Sequence, residues 1–61
     1  MIIEEAHVQN DHAYLINVDA DATLYVVVHL NDKTKNSRVF TDCKEAFREY
    51  GRIIELITEW N

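Results

Sequence analysis

Only one segment of this chain has helical periodicity, and it follows several strand-like segments. Between residues 41 and 60, apolar side chains recur at helical spacing: Cys43, Ala46, Phe47, Tyr50, Gly51, Ile54 and Ile57, flanked by Ile53 and Trp60. Asp42 is an N-cap candidate with Glu45 three residues later, and Thr41 is the alternative. Gly51 lies on the apolar stripe, which indicates a close approach of the helix to a sheet. Because a single helix covers one face of a sheet, this layout limits the apolar surface that the chain can bury.

The residues before the helix have the pattern of an antiparallel meander. Strand-like segments occupy residues 2–8, 12–18, 23–30 and, as a short edge strand, 37–40. Turn candidates at Asn10-Asp11 and Asp19–Ala22, and a polar loop at 31–36, separate them. We therefore predict an α+β fold in one domain of 61 residues. It consists of a three- to four-stranded antiparallel β-meander (1–40) followed by one C-terminal amphipathic helix (41–60) packed on one sheet face.

Strand register decides which side chains share a face of this sheet. Two-residue loops at Asn10-Asp11 and Ala20-Asp21 place one apolar set under the helix: Ile2, Ala6, Val8, Ala13, Leu15, Leu24, Val26, Val28 and Leu30. They place a second apolar set on the other face: Ile3, Tyr14, Ile16, Val18, Tyr25 and Val27. One helix cannot cover both faces. We therefore expect a partner-binding or dimer face that contains Tyr14, Ile16, Tyr25 and Val27.

Charge divides unevenly along the chain, whose formal net charge is −5. Residues 1–32 contain six acidic residues and no Lys or Arg, whereas residues 33–61 contain six basic and five acidic residues. The acidic side chains of the first half are candidates for binding a protein partner by imitating a run of phosphates: Glu4, Glu5, Asp11, Asp19, Asp21 and Asp32. An acidic surface that only maintains solubility is the alternative. Repulsion from phosphates disfavours direct nucleic-acid binding.

Three histidines and one cysteine are the candidates for metal or thiol chemistry. The assumed register brings His12 opposite His29 and His7 diagonally near His12, which is compatible with a zinc or copper site or with a pH-dependent interface. Scattered surface or interface histidines are the alternative. Cys43 lies in the first helical turn, where a thiol pKa can fall, but its place on the apolar stripe favours a buried small hydrophobe.

Motifs for catalysis are missing from the sequence. It contains no nucleophilic triad, Gly-rich phosphate loop or paired carboxylates in an apolar pocket, so we expect a non-enzymatic protein with no cofactor and no metal site. Lys44, Arg48 and Arg52 repeat every four residues, but interleaved glutamates favour a solvated helix face over a phosphate-binding stripe. One cysteine, no signal peptide and no long apolar run favour a cytoplasmic protein without a membrane partner.

In size, acidity, single-cysteine composition and strand–helix layout, the chain resembles the short proteins that phages and mobile elements encode to disable host defences, including anti-CRISPR proteins and DNA mimics. The segment Phe40-Thr41-Asp42-Cys43-Lys44-Glu45-Ala46-Phe47 also resembles the strand-to-helix junction of HicB-type antitoxins. The first resemblance implies a protein-binding inhibitor of a nucleic-acid-handling host or defence complex, active in the host cytoplasm. The second implies a small homodimeric regulatory module. Neither assigns a role to a particular residue.

Overall fold

Four antiparallel strands in chain order, followed by one helix, make up the fold of the computed structural model, which describes residues 1–18 and 23–59. The elements are β1 (Ile2–Val8), β2 (Asp11–Asn17), β3 (Tyr25–Leu30), β4 (Lys35–Phe40) and α1 (Cys43–Glu59). The predicted fold class is confirmed, with four strands. The edge strand β4 begins two residues earlier than predicted, because Lys35 and Asn36 pair with Leu30 and His29.

The β1–β2 hairpin turns at Gln9-Asn10, since Val8 pairs with Asp11. The predicted turn at Asn10-Asp11 is therefore displaced by one position. Each β1 residue therefore pairs with a β2 residue two positions away from the predicted partner. Because side chains two positions apart point to the same face, Ala6 and Ala13 still share a face. Gln9 has a φ of 55°, a left-handed conformation that costs a residue with a Cβ about 1 kcal/mol.

The β2–β3 pairing differs from the prediction by one residue, and this difference turns β3 over. Leu15 pairs with Val27 and Asn17 with Tyr25, and the Val18 amide donates to the Leu24 carbonyl at 3.1 Å. Side chains of a strand alternate between faces, so a one-residue shift moves the whole set to the other side. Leu24, Val26, Val28 and Leu30 do not face the helix as predicted. Tyr25, Val27 and His29 lie on the helix side instead.

The core lies between α1 and the helix-facing side of β2 and β3. Its buried members are Ala13, Leu15, Tyr25, Val27, Ala46, Ile53 and Ile57, with Ile3, Val8, Phe40, Tyr50 and Ile54 packed against them. A register irregularity between Ile2 and Glu4 brings Ile3 to this core and leaves Ile2 opposite Ile16. The predicted faces of Ile2 and Ile3 are therefore exchanged, because a bulge in the strand interrupts the alternation of side chains.

Asp42 caps the helix N-terminus. Its Oδ1 accepts a hydrogen bond from the Lys44 amide at 2.9 Å, and its carbonyl accepts from the Ala46 amide at 3.1 Å. This confirms Asp42 over Thr41 as the N-cap. Cys43 is exposed and not buried as predicted, and the buried residues of α1 begin at Ala46. A hydrogen bond with the Cys43 side chain, together with burial, raises the pKa of the Tyr25 hydroxyl.

Gly51 does not mark a close approach of helix to sheet. It is exposed, and a Cβ built on it would meet no atom within 4 Å. Its φ is not positive, so the backbone does not require glycine there.

We predict that Gly51→Ala raises the free energy of unfolding by about 1 kcal/mol, because alanine restricts the unfolded chain and meets no atom in the folded one. Urea denaturation followed by circular dichroism measures the change. Ala46→Gly is the matched control, since it makes the reverse exchange at a buried helical position and must destabilise the protein. A loss of stability in Gly51→Ala would contradict the open space around this residue.

Candidate protein-interaction surface

The face of the sheet opposite α1, here called the open face, carries three cross-strand rows of side chains. The strand pairing defines these rows as His7–His12–Leu30–Lys35, Glu5–Tyr14–Val28–Ser37 and Ile2–Ile16–Val26–Val39. The third row is entirely apolar, and the centre of the second is apolar. No further helix or strand among residues 1–18 and 23–59 covers this face.

The open face keeps large apolar side chains in contact with solvent. Ile2 and Val39 at the two edges are 50% and 62% exposed, and Tyr14, Ile16, Val26, Val28 and Leu30 between them are only half-buried. An antiparallel sheet with a solvated face normally alternates apolar and polar residues. The contiguous apolar surface on this sheet is therefore a candidate interaction site.

The open face contains only part of the predicted partner-binding or dimer set. Tyr14 and Ile16 lie on it, as expected. Tyr25 and Val27 do not, because both are buried under α1 with exposures of 7% and 2%. Val26 and Val28 occupy the corresponding places on β3. Sequence reasoning missed these two because their placement depends on the β2–β3 register.

The predicted acidic residues that the structure describes are spread over β1, the start of β2 and the β3–β4 turn. Glu4 and Glu5 are exposed on the edge strand β1, and Asp32 is exposed in the β3–β4 turn. Burial raises the pKa of Tyr50 on α1, and the negative charges of Glu4 and Glu5 raise it further. Asp11 is half-buried and bound to other side chains, as described next. Asp19 and Asp21 lie outside the described residues.

Asp11 joins His29 and Asn31 in a polar cluster on the helix side of the sheet. The His29 Nε2 and the Asn31 Nδ2 both lie 3.0 Å from Asp11 Oδ1. Asn31 Oδ1 in turn accepts from the amides of Lys33 and Thr34, at 2.8 and 2.6 Å, and shapes the β3–β4 turn. Asp11 therefore connects the start of β2 to the end of β3 at one end of the sheet, and it contributes less to the exposed acidic surface than the sequence suggested.

The three histidines do not converge. His7 and His12 face each other on the open face, with their Nδ1 atoms 2.7 Å apart, whereas His29 lies on the opposite face with Asp11. The predicted placement of His12 opposite His29 is therefore wrong, again because β3 is turned over. Within the part of the chain that the structure describes, no group of three or more His, Cys, Asp or Glu side chains is arranged to hold a metal ion.

Glu49 anchors a charge cluster between α1 and β4. Arg52 donates to it twice, through Nε at 3.0 Å and Nη2 at 2.8 Å, and Arg38 Nη1 lies 3.7 Å away. The Glu49 side chain is 11% exposed, whereas both arginines are more than 60% exposed. Glu49 and Arg52 therefore belong to a helix–sheet contact rather than to the fully solvated helix face that their spacing predicted.

A cavity of about 250 Å³ lies beside this cluster. It has an apolar floor that includes Val27 and Ile53, and its polar wall includes His29, Arg38 and Arg52. Glu49 also lines it and already pairs with both arginines. The cavity therefore offers little uncompensated positive charge to an anionic ligand.

Comparison with known proteins found no matching family model, no matching curated protein and no matching solved structure. No helix in the described ranges is long and apolar enough to cross a membrane.

The hydrogen bonds from Arg52, assisted by the charges of Arg52 and Arg38, lower the pKa of Glu49 against the opposing effect of burial. A carboxyl whose pKa is lowered by folding stabilises the folded state above its unfolded pKa, and this contribution disappears as the pH falls through the folded value. The relevant window thus lies below the ordinary glutamate pKa of 4.5.

We predict that Glu49→Gln lowers the free energy of unfolding by about 0.5–1 kcal/mol at pH 7, a modest amount because both arginines are solvent-exposed. The difference from wild type should diminish as the pH falls below the ordinary glutamate pKa of 4.5 and Glu49 becomes protonated. Denaturation curves at pH 3 to 7 measure this. Glu55→Gln, at an exposed helical position, should show no such convergence, and an equal profile for both variants would contradict the role of Glu49.

Proposed function

We propose that this chain is a non-enzymatic binding protein that inhibits a nucleic-acid-handling protein, with the open face as its docking surface. The observation that carries the proposal is the contiguous apolar surface formed by Tyr14, Ile16, Val26 and Val28, which no described element covers. Burying such a surface against a partner is favourable because it removes apolar area from water. The remaining question is the chemistry of the partner.

Charge favours a basic partner. The exposed carboxylate of Glu5 lies at the β1 edge of the open face, whereas Glu4, which pairs with Leu15, is exposed on the helix side of the same edge strand. Residues 1–32 contain no Lys or Arg to neutralise either carboxylate. A protein that binds nucleic acid presents a positive surface to phosphates, and carboxylates at the rim of the docking surface attract that surface. The resemblance to anti-CRISPR proteins and DNA mimics is consistent with this partner class.

The size of the open face supports a role for these charges. Four strands spaced about 4.8 Å apart, with about six residues each at 3.3 Å, present a plane of roughly 400 Å². A stable interface commonly buries about 800 Å² per partner. The open face as a whole therefore provides about half of such an interface, and the surrounding rim must contribute the rest. Association should accordingly weaken with salt between about 50 and 500 mM.

We predict that the purified protein inhibits DNA cleavage by at least one CRISPR effector complex and that Val28→Lys reduces this inhibition by tenfold or more. Val28 lies at the centre of the open face, where a lysine leaves the core intact but places a charge in the docking surface. Cleavage assays across a panel of purified effectors measure the effect.

Phe47→Lys is the matched control, because Phe47 is 42% exposed on α1 and lies outside the open face. It should inhibit as wild type does. Loss of inhibition in both variants, or in neither, would exclude the open face as the docking surface. A lack of inhibition across the panel would exclude the tested CRISPR effectors as partners.

A homodimeric regulatory module is the second candidate, and the order of residues on the open face favours it. A two-fold axis parallel to the strands would set β1 against β4 and β2 against β3 of a second copy. Tyr14 would then meet Val28, Ile16 would meet Val26, and Ile2 would meet Val39. These pairs are all apolar, and Glu5 of one copy would lie one row from Lys35 of the other.

For this candidate we predict a concentration-dependent mass in light scattering, rising from 7.2 kDa toward twice that value, with Val28→Lys remaining monomeric. An interface of about 400 Å² per copy is small, so dissociation is expected at micromolar concentrations. A constant mass of one chain up to millimolar concentration would exclude the homodimer and leave the face available to another protein.

A further inference from the structure

His7 and His12 lie directly opposite each other on β1 and β2, at the end of the open face next to the hairpin turn. Their Nδ1 atoms are 2.7 Å apart, and their ring centroids are 4.9 Å apart with the rings inclined at 62°. Two imidazole nitrogens at this distance repel each other unless a proton or a cation lies between them. The strand pairing therefore holds two metal-binding atoms in reach of one ion.

The surroundings of His7 favour the form that binds metals. Glu5 Oε1 lies 3.6 Å from His7 Nε2, so the carboxylate favours the tautomer with its proton on Nε2. The Nδ1 of His7 then carries a lone pair and accepts a hydrogen bond from the Nδ1–H of His12. A carboxylate near the remote nitrogen of a histidine is also the usual outer-shell arrangement at metal sites. The Tyr14 ring packs edge-on against His7, with centroids 5.6 Å apart, and restricts its orientation.

We propose that His7 and His12 form a two-histidine chelate for a divalent transition-metal ion of tetragonal geometry, Cu²⁺ or Ni²⁺. Two nitrogens bound at about 2.0 Å and at right angles lie about 2.8 Å apart, whereas tetrahedral binding separates them by about 3.3 Å. The hydrogen-bonded separation of 2.7 Å is closer to the right-angled value, so the rings reach that arrangement with the smaller change of distance. On binding, the proton between the rings moves to Nε2 of His12, both Nδ1 lone pairs turn toward the ion, and water fills the other positions.

Accessibility and charge agree with this assignment. The His7 side chain is 45% exposed, so a hydrated ion reaches it without opening the fold. The Glu5 carboxylate, 3.6 Å from His7 Nε2, supplies a negative formal charge beside the site. His29, the third histidine, is 12% exposed, lies on the other face and contacts Asp11. His29 therefore serves as the control histidine, which should not bind the ion.

Calorimetric titration of the tag-free protein with Ni²⁺ tests the site, since Ni²⁺ does not oxidise the exposed Cys43 thiol. We expect one ion per chain. His7→Gln and His12→Gln should each weaken binding by more than about tenfold, because loss of a ligand costs at least as much as loss of an outer-shell partner. His29→Gln should bind as wild type does. Circular dichroism confirms that each variant is folded.

Imidazole NMR signals provide a second measurement that does not depend on the variants. Substoichiometric Ni²⁺ should broaden the signals of His7 and His12 in the wild-type protein before those of His29. Equal broadening of all three histidines, equal weakening by His29→Gln, or wild-type binding no tighter than that of His12→Gln would overturn the proposal.

Discussion

Leu15 and Val27 pair across β2 and β3 and are the largest fully buried side chains of the structure. Burying each one stabilises the fold by about 1.5–3 kcal/mol, and the contact of both with α1 determines which side of the sheet the helix covers. The side that α1 covers determines which residues of β2 and β3 are buried and which remain exposed. Ala13 and Tyr25 are buried with the Leu15 and Val27 pair, while Ile16, Val26 and Val28 are left on the open face.

Hydrogen bonds and ion pairs lie around the small apolar core. Asp42 satisfies an amide at the start of α1, and Glu49 connects α1 to β4 through Arg38 and Arg52. At the other end, Asp11 joins His29 to Asn31. These polar contacts surround the apolar core, and the ion pair between Glu49 and Arg38 is the one among them that joins the helix to the sheet.

The open face combines two kinds of chemistry at different places. One end carries the apolar row from Ile2 to Val39, whose unfavourable contact with water is the driving force that we propose for docking. Its other end carries His7 and His12, whose nitrogens are arranged for a proton or a metal ion. Glu5 lies between these regions and contributes negative charge to both. The pairing of β1 with β2 thus determines the histidine pair, whereas the pairing of β2 with β3 determines which apolar residues form the open face.

Local sequence patterns were sufficient for the order of the elements. The β-branched run before Leu30 predicted a strand, the helical spacing after Asp42 predicted α1, and Asp42 and Thr41 were the two candidates for its N-cap. These features depend on neighbouring residues only. They also predicted that one apolar face would remain uncovered, because the chain has strands with apolar residues on both sides and a single helix.

Only the tertiary structure decided which apolar face of the sheet stays uncovered. The sequence determined the set of strands, but the pairing of Leu15 with Val27 rather than with Val26 depends on how well the two alternatives pack against Ala46, Ile53 and Ile57. Side chains alternate with a period of two, so this single step exchanged Val27 for Val26 and separated His29 from His12. The sequence by itself thus determined that an apolar face stays open, and packing against the helix decided which residues form it.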